Sequence, residues 1–260
     1  MTAIRATPVV SDELDVHCPY RVDAPTMVQE WCSLSFLHWR FDPDVVQALL
    51  PTGVLVDTYD EEAWVGVVPF VLRIRLRRTP FIPWVSQFPE MNVRTYVQGP
   101  DGRPGIRFLS LDAARAAAVG VARRVWQLPY MWARMRVVRA GSTITYTSRR
   151  RWPAPGPRTH AVVAIGPAVE PAATTGLERF LTARFGLWSP WGQDLAFTVA
   201  EHEPWMLHRS HAVDFTTDLL EAASLPVPQG DPIVHFAEDV RARLSPRELV
   251  PAGARIDPSG

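Results

Sequence analysis

Proline and glycine are spread through the whole chain, 25 and 15 of them in 260 residues, and this punctuation limits the fold more than any other feature. A proline inside a helix removes a backbone donor and clashes with the preceding turn, so an even scatter of prolines cuts a chain into short pieces. The segments between them alternate polar and apolar residues with period two, the pattern of half-buried strands. Trp31 to Trp39, Ala63 to Leu76, Val93 to Val97, Ile106 to Leu109, Met131 to Val138, Ile144 to Arg149 and His160 to Ile165 all read this way. Trp152 to Pro157 holds three prolines and reads as extended loop, since ladder pairing needs the N–H groups that are missing. Helices are few. Asp42 caps a short one with Pro43 at its first position and Pro51 beyond its end. A longer one is expected from Asp112, as N-cap, to Gln127, with Ala114, Ala117, Ala118, Val121 and Val125 on one face. Two more are expected at Thr175 to Phe185 and Phe215 to Ala223. No composition shift divides the chain, so residues 28–246 read as one β-dominated α+β domain, with an N-terminal extension (1–27) and a peripheral tail (247–260).

Charge removes several classes of function. The 27 cations balance 27 acids, and every one of the cations is arginine. Schiff-base chemistry on a lysine side chain, a P-loop lysine and a pyridoxal-phosphate aldimine are therefore excluded. Arginine stays protonated at any workable pH and suits carboxylate or phosphate. A net charge of zero and a pI near 7.1 argue against nucleic acid as a partner. The basic run Arg73, Arg75, Arg77, Arg78 alternates with apolar residues and reads as a strand with one solvated edge. Cys18 and Cys32 lack motif spacing and read as free thiols of a reducing cytoplasm. Residues 1–15 have no apolar core of a leader, and no run of ~18 apolar residues exists to cross a membrane. A soluble cytoplasmic protein is the working class.

No cofactor motif is present, and no metal site is expected. His202, His208 and His211 crowd together with Glu201 and Glu203, but Pro204 and Trp205 intervene, and surface histidines are the favoured reading. His38, beside Trp39 on an apolar strand, reads as a satisfied core histidine. Ser110, two residues before Asp112, reads as part of a helix start.

The chemistry concentrates elsewhere. Period two puts Glu90, Asn92, Arg94 and Tyr96 on one face of a strand, with Met91, Val93, Thr95 and Val97 on the other. Either the polar face is solvated, or a carboxylate, an amide, a guanidinium and a phenol enter one cavity. In a cavity Glu90 is either a base or simply the ion-pair partner of Arg94. Tyr130 follows Pro129 at the start of the next strand and offers a hydroxyl as donor or general acid. Arg134, four residues on, shares its side of an ideal strand, and Arg136 continues the row.

Three segments together resemble the acetoacetate decarboxylase-like superfamily. They are Trp39-Arg40-Phe41-Asp42-Pro43-Asp44 with Leu49-Leu50-Pro51, the strand Phe88 to Val97, and Ser110-Leu111-Asp112 through Pro129-Tyr130. The last two are most similar to its YqjF-like branch, of unknown function. The resemblance covers roughly residues 28–245 and implies antiparallel strands curled into a cone-shaped barrel with a few packed helices. It places Tyr130 and Met131 where the decarboxylases carry two adjacent lysines, one of them the Schiff-base residue. It aligns Glu90 with a retained carboxylate, while other pocket positions fall near Gly66 and Cys32 without a match. Decarboxylation through an imine is therefore not expected, since a phenol and a thioether form none with a ketone. The reading is acid–base chemistry (enolisation, lyase or cyclisation) on a small, anionic carbonyl or carboxylate metabolite, without cofactor. Glu90, Tyr130 and Arg94 would be catalytic, and Asn92, Tyr96, Arg134 and Met131 would bind substrate. A non-catalytic binding protein is the alternative, and exposed edge strands leave room for a homodimer.

Overall fold

The computed structural model describes residues 14–76, 86–116, 120, 127–154 and 156–253. Its first half contains β1 (Met27–Cys32), β2 (Leu34–Phe41), α1 (Pro43–Gln47), β3 (Leu55–Val56), β4 (Thr58–Tyr59), β5 (Glu62–Leu76), β6 (Gln87–Gln98) and β7 (Pro104–Ala113). The second half contains β8 (Tyr130–Ala140), β9 (Thr143–Trp152), β10 (Arg158–Ala164), β11 (Ala168–Val169), α2 (Gly176–Thr182), β12 (Gly186–Trp191) and β13 (Asp194–His202). It closes with β14 (Leu207–Thr217), α3 (Leu219–Ala222), β15 (Ile233–Ala237), β16 (Val240–Leu244) and β17 (Glu248–Val250). Each expected strand is present. Ser33 takes a positive φ of 51° and breaks Trp31–Trp39 into β1 and β2. Asp42 caps α1 by accepting from the Asp44 N–H, and Thr175 with Glu178 forms a reciprocal capping box on α2.

All strands belong to one mixed sheet that closes twice. One circuit runs β1, β5, β6, β7, β12, β13, β16 and back to β1. The other runs β2, β5, β6, β7, β8, β9, β10, β14, β15 and back to β2. Strands β5, β6 and β7 belong to both. Closure removes open edges, and sharing a wall means that the shared strands are covered on both faces. One face of this wall carries Val65, Val67, Met91 and Val93 into a core with Leu37, Trp39, Ile144, Tyr146, Ala161, Val163 and Phe236. The opposite face meets Trp31, Phe36, Phe70, Phe88 and Trp205, and at its other end Tyr96, Trp64 and the α2 residues Phe180 and Leu181.

Three expectations need correction. Asp112 is no helix cap: β7 runs through Ala113, with Asp112 paired across to Met91 and Met131. Its Oδ1 accepts from Arg150 Nε at 2.8 Å, and Arg150 also donates to Ser110 Oγ at 2.6 Å, so Arg150 engages both side chains inside the sheet rather than leaving them to a helix start. Most of the expected helix beyond Ala114 lies outside the described residues. The helix expected at Phe215–Ala223 shrinks to Leu219–Ala222, because β14 keeps pairing with β10 through Thr217. His202 is buried rather than on the surface, its ring packed among Trp31, Phe185 and Trp205.

The regions read as extension and tail also contribute to the core. Tyr20 and Val22 pack on Phe197 and Trp188, and Val250 of β17 is buried in the same cluster. Arg103 clamps that strand through a two-pronged pair with Glu248 at 2.9 and 3.0 Å.

Candidate active site

The register of the shared wall sets side chains in rows on the Glu90 face. His38, Gly66, Arg94 and Phe108 form one row across β2, β5, β6 and β7. Val68, Asn92, Leu111 and Tyr130 form the next across β5 to β8, and Phe70, Glu90, Ala113 and Trp132 the third. The face is buried: Glu90, Asn92 and Tyr96 are 3%, 4% and 0% exposed. Arg94 is half-buried, and at the β8 end the third row reaches solvent at Trp132. The open question of solvated face against interior is thus resolved in favour of the interior for these residues.

Tyr130 stands across Leu111 and Ala113 from Glu90 and donates its hydroxyl to Glu90 Oε2 at 2.8 Å. Burial pushes the Glu90 carboxyl up to about 8, against a smaller downward pull from the Tyr130 bond. Glu90 is therefore a neutral acid near pH 7. Because Oε2 accepts from the phenol, the acid proton belongs on Oε1, which leaves one directed donor. Burial, and then the nearness of Glu90, hold the Tyr130 hydroxyl well above its ordinary range. Glu90 forms no ion pair with Arg94 among the described residues, and its apolar neighbours Phe70 and Phe88 explain why it stays uncharged.

Arg94 is turned toward the other end. Its NH2 donates to the Leu181 carbonyl of α2 at 3.2 Å, and its guanidinium lies 5.0 Å from the Phe36 ring centre and 5.8 Å from that of Tyr96. Tyr96 donates to the same carbonyl at 2.6 Å and also meets His38 Nε2 at 2.6 Å. The phenol has one proton and the carbonyl can only accept, so His38 Nε2 must be the protonated nitrogen. Burial first, then the Arg94 charge, hold the His38 imidazole well below its ordinary range, so it is neutral with a bare Nδ1 that has no partner. Gly66 makes this possible, since a β-carbon there would sit 2.7 Å from His38 Cδ2 and Nε2. A lone glycine inside a 15-residue strand was the available sign of such a close approach. His38 itself carried no sequence signal beyond core burial.

Of the residues singled out from sequence, Glu90, Asn92, Arg94, Tyr96 and Tyr130 come together on this face. Two others do not. Arg134 is exposed, because β8 leaves β7 after the Ala113–Trp132 pair and its outer face then meets water. Met131 pairs with Asp112 and points to the opposite face from Tyr130.

A fold of this kind is that of the acetoacetate decarboxylase-like proteins. The enduracididine biosynthesis enzyme MppR, solved in complex with pyruvate, superposes with a TM-score of 0.62 at 15% identity, covering 94% of this chain and 98% of that one. An acetoacetate decarboxylase-like enzyme from Sphingomonas wittichii RW1 gives 0.62 at 12% identity, covering 89% and 95%. The chain belongs to the DUF2071 family, described as an uncharacterized conserved protein, whose model matches residues 28–241. The uncharacterized protein YqjF of Bacillus subtilis (strain 168) is 35% identical over 213 residues, 82% of this chain and 87% of that protein.

Proposed function

We propose that the chain is an enzyme performing acid–base chemistry without an imine on a small carbonyl compound held against the Glu90 face. The carrying observation is the Tyr130–Glu90 hydrogen bond within a buried, uncharged surround. At neutral pH the Oε1 proton is available to a carbonyl oxygen, which favours loss of an α-proton to water and formation of the enol. Above about 8 Glu90 ionises and serves as the base instead. The chain has no lysine, so the Schiff-base route of the decarboxylases has no side chain to run on. A neighbour of the same fold binding pyruvate supports a small carbonyl ligand.

Solvent-deuterium exchange at carbons next to the carbonyl, followed by proton NMR for a panel of small ketones and keto acids, tests this. Exchange by the native protein that falls about 10²–10⁴-fold in Glu90→Gln supports the enzyme. Exchange unchanged in Glu90→Gln refutes the role of Glu90, and saturable binding without exchange makes the chain a carrier.

A further inference from the structure

A cavity lies away from the Glu90 face, between the segment His17 to Pro25 and strands β1, β13 and β16. It holds about 550 Å³, within the range of small-molecule sites. Val28 lines it, and the period of β1 points Val28 away from Trp31, which packs on the Glu90 side with Phe70 and Phe88. Tyr20, Pro25 and Pro204 join Val28 as the apolar wall. Burial pushes the Cys18 thiol up to about 11, so it adds no charge, and the His17 ring is held by Asp15 at 2.9 Å. Two acids, Glu201 and Glu203, face the cavity together with two arginines, Arg241 and Arg243.

These four charges are not used alike. β13 and β16 pair Glu201 with Arg243 and stop at His202–Ala242, one residue short of setting Glu203 against Arg241. Glu201 and Arg243 are engaged: Arg243 Nε stands 3.6 Å from Glu201 Oε2, which also accepts the Val22 N–H at 2.7 Å, and Arg243 NH2 donates to the Asp23 carbonyl at 3.2 Å. Glu203 and Arg241 are exposed and close no ion pair among the described residues. Pro204 has no N–H with which to carry the ladder on and draw them together. Glu30, which β1 sets beside Arg241, is shared between Arg73 at 3.6 Å and Arg75 at 3.5 Å. An open cation thus faces an open anion across the cavity. A lone anion would leave Glu203 unmet and a lone amine would leave Arg241 unmet, so the matching ligand carries both charges. Opposed ladder positions have β-carbons about 5 Å apart, which suits the close charges of an α-amino acid; those of a dipeptide lie about 3.4 Å further apart. We infer that this cavity binds a free α-amino acid with an apolar side chain. Its carboxylate meets Arg241, its ammonium places three donors among Glu203 and Glu201 Oε1, and its side chain rests on Tyr20, Pro25 and Val28.

Calorimetry with three matched probes tests this: L-leucine, leucinamide, which lacks the carboxylate, and isocaproate, which lacks the amine. Each is titrated into the native protein, Arg241→Met and Glu203→Gln. Leucine should bind the native protein at least about five-fold more tightly than either analogue, the size that one partly solvated charge pair supplies. Arg241→Met should bring leucine down to the level of leucinamide while leaving leucinamide as it was. Glu203→Gln should bring leucine down to the level of isocaproate while leaving isocaproate as it was. Both side chains are exposed and outside any ion pair among the described residues, so both variants should keep the native melting temperature. Equal binding of the three probes by the native protein overturns the assignment, as does a leucine affinity that neither substitution moves. No binding of leucine at millimolar concentration overturns it too. None of these readouts involves Glu90, so their failure and that of the acid–base reading are separate.

Discussion

Glu90→Gln should stabilise the fold, by an amount that grows with pH. The buried carboxyl titrates near about 8 in the folded chain and near 4.5 when unfolded, because burial disfavours its charged form. Between these values the folded state holds a proton that the unfolded state has released, so wild-type stability falls as pH rises through the window. At 1.36 kcal/mol per pH unit, the cost is about 3 kcal/mol at pH 7 and about 5 kcal/mol once pH 8 is passed. Glutamine is uncharged throughout, and its Oε1 still accepts from Tyr130. The variant and the wild type should therefore match near pH 4.5 and diverge up to about 8, after which the difference levels off. Urea unfolding at half-unit steps from pH 4.5 to 9 reads this directly, since groups shared by both chains cancel in the difference. In a thermal melt at pH 7 the gain corresponds to roughly 6–12 °C. A difference flat between pH 5 and 8 would refute the neutral carboxyl, as would a variant that becomes less stable with rising pH. Greater stability together with lost proton exchange is the signature of a strained functional acid.

Other substitutions probe the framework. Asp112→Ala leaves Arg150 buried without its carboxylate, and the loss should be about 3–5 kcal/mol in urea unfolding, much of it recovered in the Asp112→Ala, Arg150→Met double variant. Gly66→Ala puts a methyl 2.7 Å from the His38 ring and should cost about 1–3 kcal/mol, with a smaller cost in a His38→Ala background; equal costs in both backgrounds would contradict the close approach. Glu178 is held down to about 2, first by its Arg209 hydrogen bond and then by the Thr175 cap and His235 against the opposing effect of burial. Its contribution is present above pH 4.5 and is lost as pH falls through about 2, so Glu178→Gln should be the weaker protein at pH 6 and equal to wild type near pH 2.

Much of the fold was legible from local pattern. Proline spacing and period-two alternation located β5, β8, β9 and β10 almost to their ends, since a strand's alternation is written in consecutive residues. The start of α1 was legible where the cap side chain serves its own backbone, at Asp42, whereas the capping box of Thr175 with Glu178 on α2 emerged only in the structure. The same signal misled at Asp112, where a cap-like residue is taken by Arg150, 38 residues away, and β7 continues.

The candidate site divides along the same line. The sequence by itself determined that Glu90, Asn92, Arg94 and Tyr96 share a face and that no lysine is at hand for an imine, because both follow from residue identity and the period of a strand. Only the tertiary structure decided that this face is interior. β6 is a wall common to two closed circuits, which leaves neither side of it to water. The same closure set Tyr130 on Glu90, raised its proton affinity by shutting out solvent, and sent Arg134 outward where β8 parts from β7. Burial and cross-strand distance are properties of the closed sheet, and no single strand contains them.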